Sequence, residues 1–88
     1  MDIHIATRSL RDQSGRLRTF HYFLVVDMVE TDCFCFENYG VRVTENERNT
    51  ACVPALTTSA ERIDQLMTVL VDNRVGPVGL RDVIEDWM

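Results

Sequence analysis

The run LRTFHYFLVVDMV, residues 17–29, most narrows what this chain can fold into. It is dense in the aromatic and β-branched residues that favour strands. Alternation places Phe20, Tyr22, Leu24, Val26 and Met28 on one face and Phe23 and Val25 on the other. Both faces are apolar, whereas a strand with one wet side alternates apolar with polar residues. This strand is therefore expected in the interior of a sheet, with neither face fully exposed to water.

The neighbouring segments supply its partners. IHIATRSL alternates Ile3, Ile5 and Thr7 against His4, Ala6 and Arg8, and RDQSGR, with Gly15, carries the polar residues of a hairpin loop. After the polar ETD, the segment CFCFENYGVRV reads as a third strand, with Gly40 marking a bulge or a close backbone approach. ACVPAL follows the polar TENERNT as a short fourth strand, confined to a sheet edge because Pro54 has no N–H. The expected strands are about 2–9, 17–29, 33–44 and, briefly, 51–56.

From TSAERIDQLMTVLVDN the period becomes helical. Thr58 and Glu61 have the spacing of a capping box, so the helix is expected over about 59–73, starting at Ser59. Ala60, Ile63, Leu66, Met67, Leu70 and Val71 form its stripe. Adding Val69 widens that stripe to about 200°, against the roughly 100° that one packing partner requires. Gly76 and Pro77 break the helix. A second helix over about 79–87 carries Leu80, Val83, Ile84 and Trp87 at i, i+3, i+4 and i+7. The fold expected is α+β in a single domain spanning residues 1–88: an antiparallel three- to four-stranded β-meander followed by two α-helices packed on one face.

Composition limits the function. A chain of 88 residues, 45% hydrophobic and 26% charged, is an ordinary globular domain. At that length it buries only about 60–65% of its extended surface. Fourteen acids against nine arginines give a net charge of −5, which argues against a protein built to wrap nucleic acid. The charge is uneven: residues 1–22 hold four arginines (Arg8, Arg11, Arg16, Arg18) and two aspartates, whereas residues 23–88 hold twelve acids and five arginines. An anion contact is to be sought at that first hairpin. The opening MDIHIATRSL lacks the basic start and apolar centre of a secretory signal, and there is no run of about 18 apolar residues, so a cytoplasmic protein without membrane contact is expected.

No sequence pattern for a nucleophile elbow, a zinc protease or a phosphate-cradling glycine loop occurs, and the expectation is a protein that is not an enzyme and carries no cofactor. Cys33, Cys35 and Cys52 are odd in number and include a Cys-x-Cys step rather than the Cys-x-x-Cys of structural zinc sites. They are expected as small buried hydrophobes, with a metal or thiol site at the three as the alternative. His4 and His21 are expected at the surface of strands. Asp82 and Asp86 point away from the apolar stripe of the last helix and read as its solvated side, because paired-carboxylate catalysis needs surroundings that separate the two pKa values.

The set Tyr39-Gly40-Val41, the Thr58–Glu61 helix start, and Val75-x-Pro77-x-x-Leu80-x-Asp82-Val83-x-x-Asp86-Trp87 resembles a family of short uncharacterised proteins, a domain of unknown function, found mainly in spore-forming anaerobic bacteria. The resemblance covers most of the chain and implies no activity or ligand. It does imply a structural part for Asp82 and Asp86, as acceptors for a neighbouring loop or for Arg42. The function expected is a small protein-interaction or regulatory module that pairs with itself, as a homodimer, or with another protein, through an exposed apolar surface centred on Phe23, Val25, Val69 and Trp87. The alternative is an anion or nucleic-acid binder acting through the arginine hairpin.

Overall fold

The computed structural model describes residues 1–88. Strands β1 (Asp2–Arg11), β2 (Leu17–Glu30), β3 (Cys35–Thr44) and β4 (Thr50–Thr57) form one sheet in the order β1-β2-β3-β4, every neighbour antiparallel. Helix α1 (Ala60–Asp72), a 3-10 turn (Pro77–Gly79) and helix α2 (Leu80–Trp87) follow. The architecture is the expected α+β meander with C-terminal helices, and the Pro54 strand lies at an edge.

The core forms where one sheet face meets both helices. Phe20 and Tyr22 of β2 and Val41 and Val43 of β3 pack against Ile63, Leu66, Met67 and Leu70 of α1 and against Leu80 and Ile84 of α2. Two devices tie the inter-helix segment to that core. The Tyr22 hydroxyl donates to the Val75 carbonyl at 3.0 Å, and a Cβ at Gly76 would approach the Phe20 ring to 3.0 Å. Helix α1 itself stops before the Gly-Pro pair. Arg74 takes φ +49, and the N–H groups of Val75 and Arg74 donate to the carbonyls of Leu70 and Val71, a Schellman ending with arginine where glycine is usual.

The capping residue differs from the expectation. Ser59, not Thr58, holds the N-cap position, in extended geometry, and its hydroxyl accepts from the Arg62 N–H at 3.2 Å. Thr57 accounts for the displacement: its Oγ1 accepts from the Ser59 N–H at 3.0 Å, which ends β4 and turns the chain one residue further on. The alternation expected in β1 also breaks. A bulge between His4 and Ala6 slips the register, so that Ile3 pairs with Leu24 and Ala6 with Tyr22, while His4 pairs with Phe23 and Thr7 with His21. Ala6 and Leu10 thereby join Ile3 on the helix side, and both pack against the core. His4 and Thr7 end up together on the other face.

Gly40 is the close approach its position suggested. The β3–β4 register slips between Tyr39 and Val41, and Ala55 takes φ +56. A Cβ on Gly40 would lie 2.5 Å from the Pro54 Cα and closer still to the Val53 carbonyl oxygen.

Candidate functional site

Three surfaces carry the chemistry-bearing residues, and the first is the sheet face opposite the helices. The bulge in β1 and the β1–β2 pairing bring His4, Thr7 and His21 together there: the Thr7 hydroxyl lies 2.9 Å from His4 Nε2 and 3.0 Å from His21 Nδ1. One hydroxyl has one proton and two lone pairs, so it donates to at most one of the two rings and accepts from the other or from both, as their tautomers dictate. The His4 ring meets Phe23 edge-on at 5.3 Å, and the Arg42 guanidinium covers that phenyl at 4.6 Å while Nη2 reaches Asp2 at 2.8 Å. Arg42 Nε is buried without a hydrogen-bond partner. Phe23 is thus half-covered by polar neighbours of its own chain, and Val25, beside it, is only 7% exposed.

The second surface is a projecting arm. β2 is 14 residues long, whereas β1 begins opposite Val25 and β4 ends opposite Tyr39. Past those points β2 and β3 continue alone as a two-stranded ribbon, pairing Met28 with Glu37, Val29 with Phe36 and Glu30 with Cys35. The molecule is drawn out to 54 × 25 × 17 Å. An isolated two-stranded ribbon is marginal in water, yet this one leaves Met28 58% and Phe34 71% exposed. Its charges are of one sign: Asp27, Glu30, Asp32 and Glu37, with no basic residue between 27 and 38.

The arginine hairpin forms the third surface, at the opposite end of β2. Asp12 Oδ1 accepts from the N–H groups of Ser14 and Arg16 and from the Ser14 hydroxyl. Those bonds, the Ser14 hydroxyl's first, hold its carboxyl below the usual aspartate value, and Gly15 closes the turn at φ +82. The four arginines do not converge. Arg18 is taken by Glu45 in a two-pronged pair at 2.7 and 2.9 Å, which with Asn49 draws the Glu45 pKa down to about 2. Arg8 donates to the Thr7 carbonyl and Arg11 to the Gly15 carbonyl. Arg8 and Arg11 also stand on opposite faces of β1, paired with Phe20 and Leu17.

The cysteines correct the expectation of core hydrophobes: all three are free and exposed. Cys33 and Cys35 lie on the arm, beyond the helices that would cover them, and Cys35 Sγ sits 3.2 Å from Met28 Sδ. Cys52 pairs with Arg42, seven positions along β3 from Cys35 and hence roughly 23 Å away at ~3.3 Å per residue, so the three do not assemble. Burial and the nearby Asp2 raise the Cys52 pKa.

Asp82 and Asp86 are exposed as the spacing predicted, but the acceptor role implied for them is not there: neither has a hydrogen-bond or ion-pair partner, and Arg42 reaches Asp2 instead, on the far side of the sheet. Leu80 of the same motif is a core residue, Pro77 is buried in the turn before it, and Tyr39 donates its hydroxyl to Glu37 at 2.7 Å. Val69 remains 41% exposed. Trp87 is half-buried under the Arg62 guanidinium at 4.6 Å. Sequence reasoning missed the arm and the histidine-bearing face. The excess length of β2 over its neighbours was the available signal for the arm. Nothing in the alternation signalled the bulge that joins His4 to His21.

A four-stranded meander with both helices on one face, the other face open and one hairpin overrunning the rest defines a small two-layer α+β domain with uncovered strand surfaces. Among known proteins, the chain belongs to DUF6514, a family of unknown function, which it matches over residues 1–88. No curated protein and no solved structure matches it. No helix is long and apolar enough to cross a membrane.

Proposed function

We propose that the protein is a small non-enzymatic interaction module that works as a homodimer in the cytoplasm of a spore-forming anaerobic bacterium. The bacterial source rests on the likeness of the Tyr39–Val41, Thr58–Glu61 and Val75–Trp87 stretches, taken together, to such proteins, and the cytoplasmic location on the unpaired, exposed thiols, which suit a reducing compartment. The observation that carries the interaction reading is the uncovered apolar surface of the strands: Ile3 and Ile5 on β1 and Met28, Phe34 and Phe36 on the arm are all exposed. Apolar side chains grouped on strand edges mark a surface that another chain covers.

The anion-binding alternative has less support, because Arg18 is neutralised by Glu45 and the other arginines diverge. A metal site at the three cysteines has less still, given the separation of Cys52 from the other two.

Size-exclusion chromatography with light scattering tests the assembly. The expected mass at high micromolar concentration is twice the chain's 10.2 kDa. A mass of one chain throughout overturns the reading.

A further inference from the structure

We propose that two copies of this chain pair antiparallel along β1, edge to edge, about a two-fold axis at Thr7, joining two four-stranded sheets into one of eight strands. The inference rests on the self-association proposed above and names the surface responsible.

The sheet has two edges, and only one is open for pairing. At β4, Pro54 lacks an N–H, Ala55 takes φ +56 and the register slips, three features that block strand addition. β1 is ten residues long and paired on its inner side alone. Met1 and Val26 exchange both main-chain bonds, at 2.9 and 2.8 Å, so they form a hydrogen-bonded pair. Counting alternately from that pair, with the bulge at Ile5, turns the N–H and C=O groups of Asp2, His4, Thr7, Ser9 and Arg11 outward.

Those five residues are self-complementary. With Thr7 opposite its own copy, Ser9 falls opposite His4 and Arg11 opposite Asp2, twice each, so that every outward-facing main-chain group meets another once the exposed Arg8 guanidinium swings off the Thr7 carbonyl that it holds at 2.9 Å in the single chain. The bulge is accommodated with Ile5 and Ala6 facing Arg8, and Ile3 meets Leu10 on the helix side. Each Asp2 carboxylate already holds Arg42 through Oδ2, which leaves Oδ1 to accept from Arg11 of the second copy. Other registers lose this match. A shift of one residue sends paired side chains to opposite faces, and a shift of two sets Asp2 against Ser9 and leaves Arg11 without a partner.

The ends of the molecule agree with the same arrangement. Antiparallel pairing lays the arginine hairpin of one copy beside the root of the acidic arm of the other, twice, and the exposed Leu17 comes with it. Stacking the arms on each other would instead oppose four carboxylates to four. Because the contact is symmetric it closes at two copies and does not propagate into a fibre.

Thr7→Pro removes the outward N–H on the axis and leaves the β1–β2 ladder whole. It should lower the mass from twice to once 10.2 kDa with an unchanged far-ultraviolet circular dichroism spectrum. Arg11→Glu, which opposes carboxylates twice, should weaken dimerisation about tenfold. Amide hydrogen exchange on the unaltered protein supplies the second readout: the Thr7, Ser9 and Arg11 amides should be protected at dimer-forming concentrations and exposed on dilution. A wild-type dimer whose β1 outer amides exchange as fast as those of β4 overturns this interface and leaves self-association standing. A wild-type monomer overturns both.

Discussion

The phenol of Tyr22, wholly buried in β2, donates at 3.0 Å to the carbonyl of Val75, fifty-three residues later in the segment that joins the two helices. This bond fastens the inter-helix segment to the sheet and satisfies a carbonyl that the Gly76-Pro77 break would otherwise leave without a partner. Tyr22→Phe should cost about 1–2 kcal/mol in chemical denaturation, since it strands one buried acceptor while keeping the ring. Burial also raises the Tyr22 pKa above its ordinary 10. A raised folded-state value means that this contribution is whole below pH 10 and is lost as pH climbs past it. The alkaline limb of a stability–pH curve should therefore flatten in the phenylalanine variant.

Gly40 should tolerate no side chain. A Cβ there meets the backbone of Pro54 and Val53, which cannot rotate aside as a side chain could. Gly40→Ala should cost about 3 kcal/mol, at the upper end for overpacking, and the loss should appear as fast amide exchange in β4 before it appears in α1.

Arg18 and Glu45 make the acid response of the first hairpin predictable. The Glu45 pKa is lowered from 4.5 to about 2 by its bonds to Arg18 and Asn49. A depressed value gives stability that is complete above pH 4.5 and is lost as pH falls toward 2. Glu45→Gln should remove that part of the acid limb, which is read from urea midpoints between pH 5 and pH 2. Identical midpoints for the two proteins across that range would refute it.

The thiols should all be reachable in the folded protein. Cys33, Cys35 and Cys52 are exposed, so an aromatic disulfide reagent should titrate three per chain without denaturant. Because the thiolate is the attacking species, Cys52, whose pKa burial raises, should react last. Cys52→Ser should abolish the slowest phase alone. Fewer than three reactive thiols in the native protein would contradict the exposed arm.

The strands and helices of this protein, and the order in which they come, are legible in its sequence because each is a local matter of period. The two-faced run from Phe20 to Val29 could serve only as an inner strand, Pro54 only at an edge, and the i, i+3, i+4 spacing of Ile63, Leu66 and Met67 only as a helix face. Cysteine burial was not legible, since composition says how often a residue type is buried, not whether a helix lies above it. Cys33 and Cys35 ended in water because β2 and β3 outrun the layer that covers the core.

The tertiary structure alone decided which residues share a face and which share a partner. A single extra residue at Ile5 inverts the facing of half of β1, which gathers His4, Thr7 and His21 on one side and sends Ala6 and Leu10 to the core. The Arg18–Glu45 and Arg42–Asp2 pairs likewise join residues far apart in the chain, and they follow from register, not from neighbourhood. Local periodicity fixes each element's inward side. The offset between two strands is set by every pair along them at once, which no single segment records.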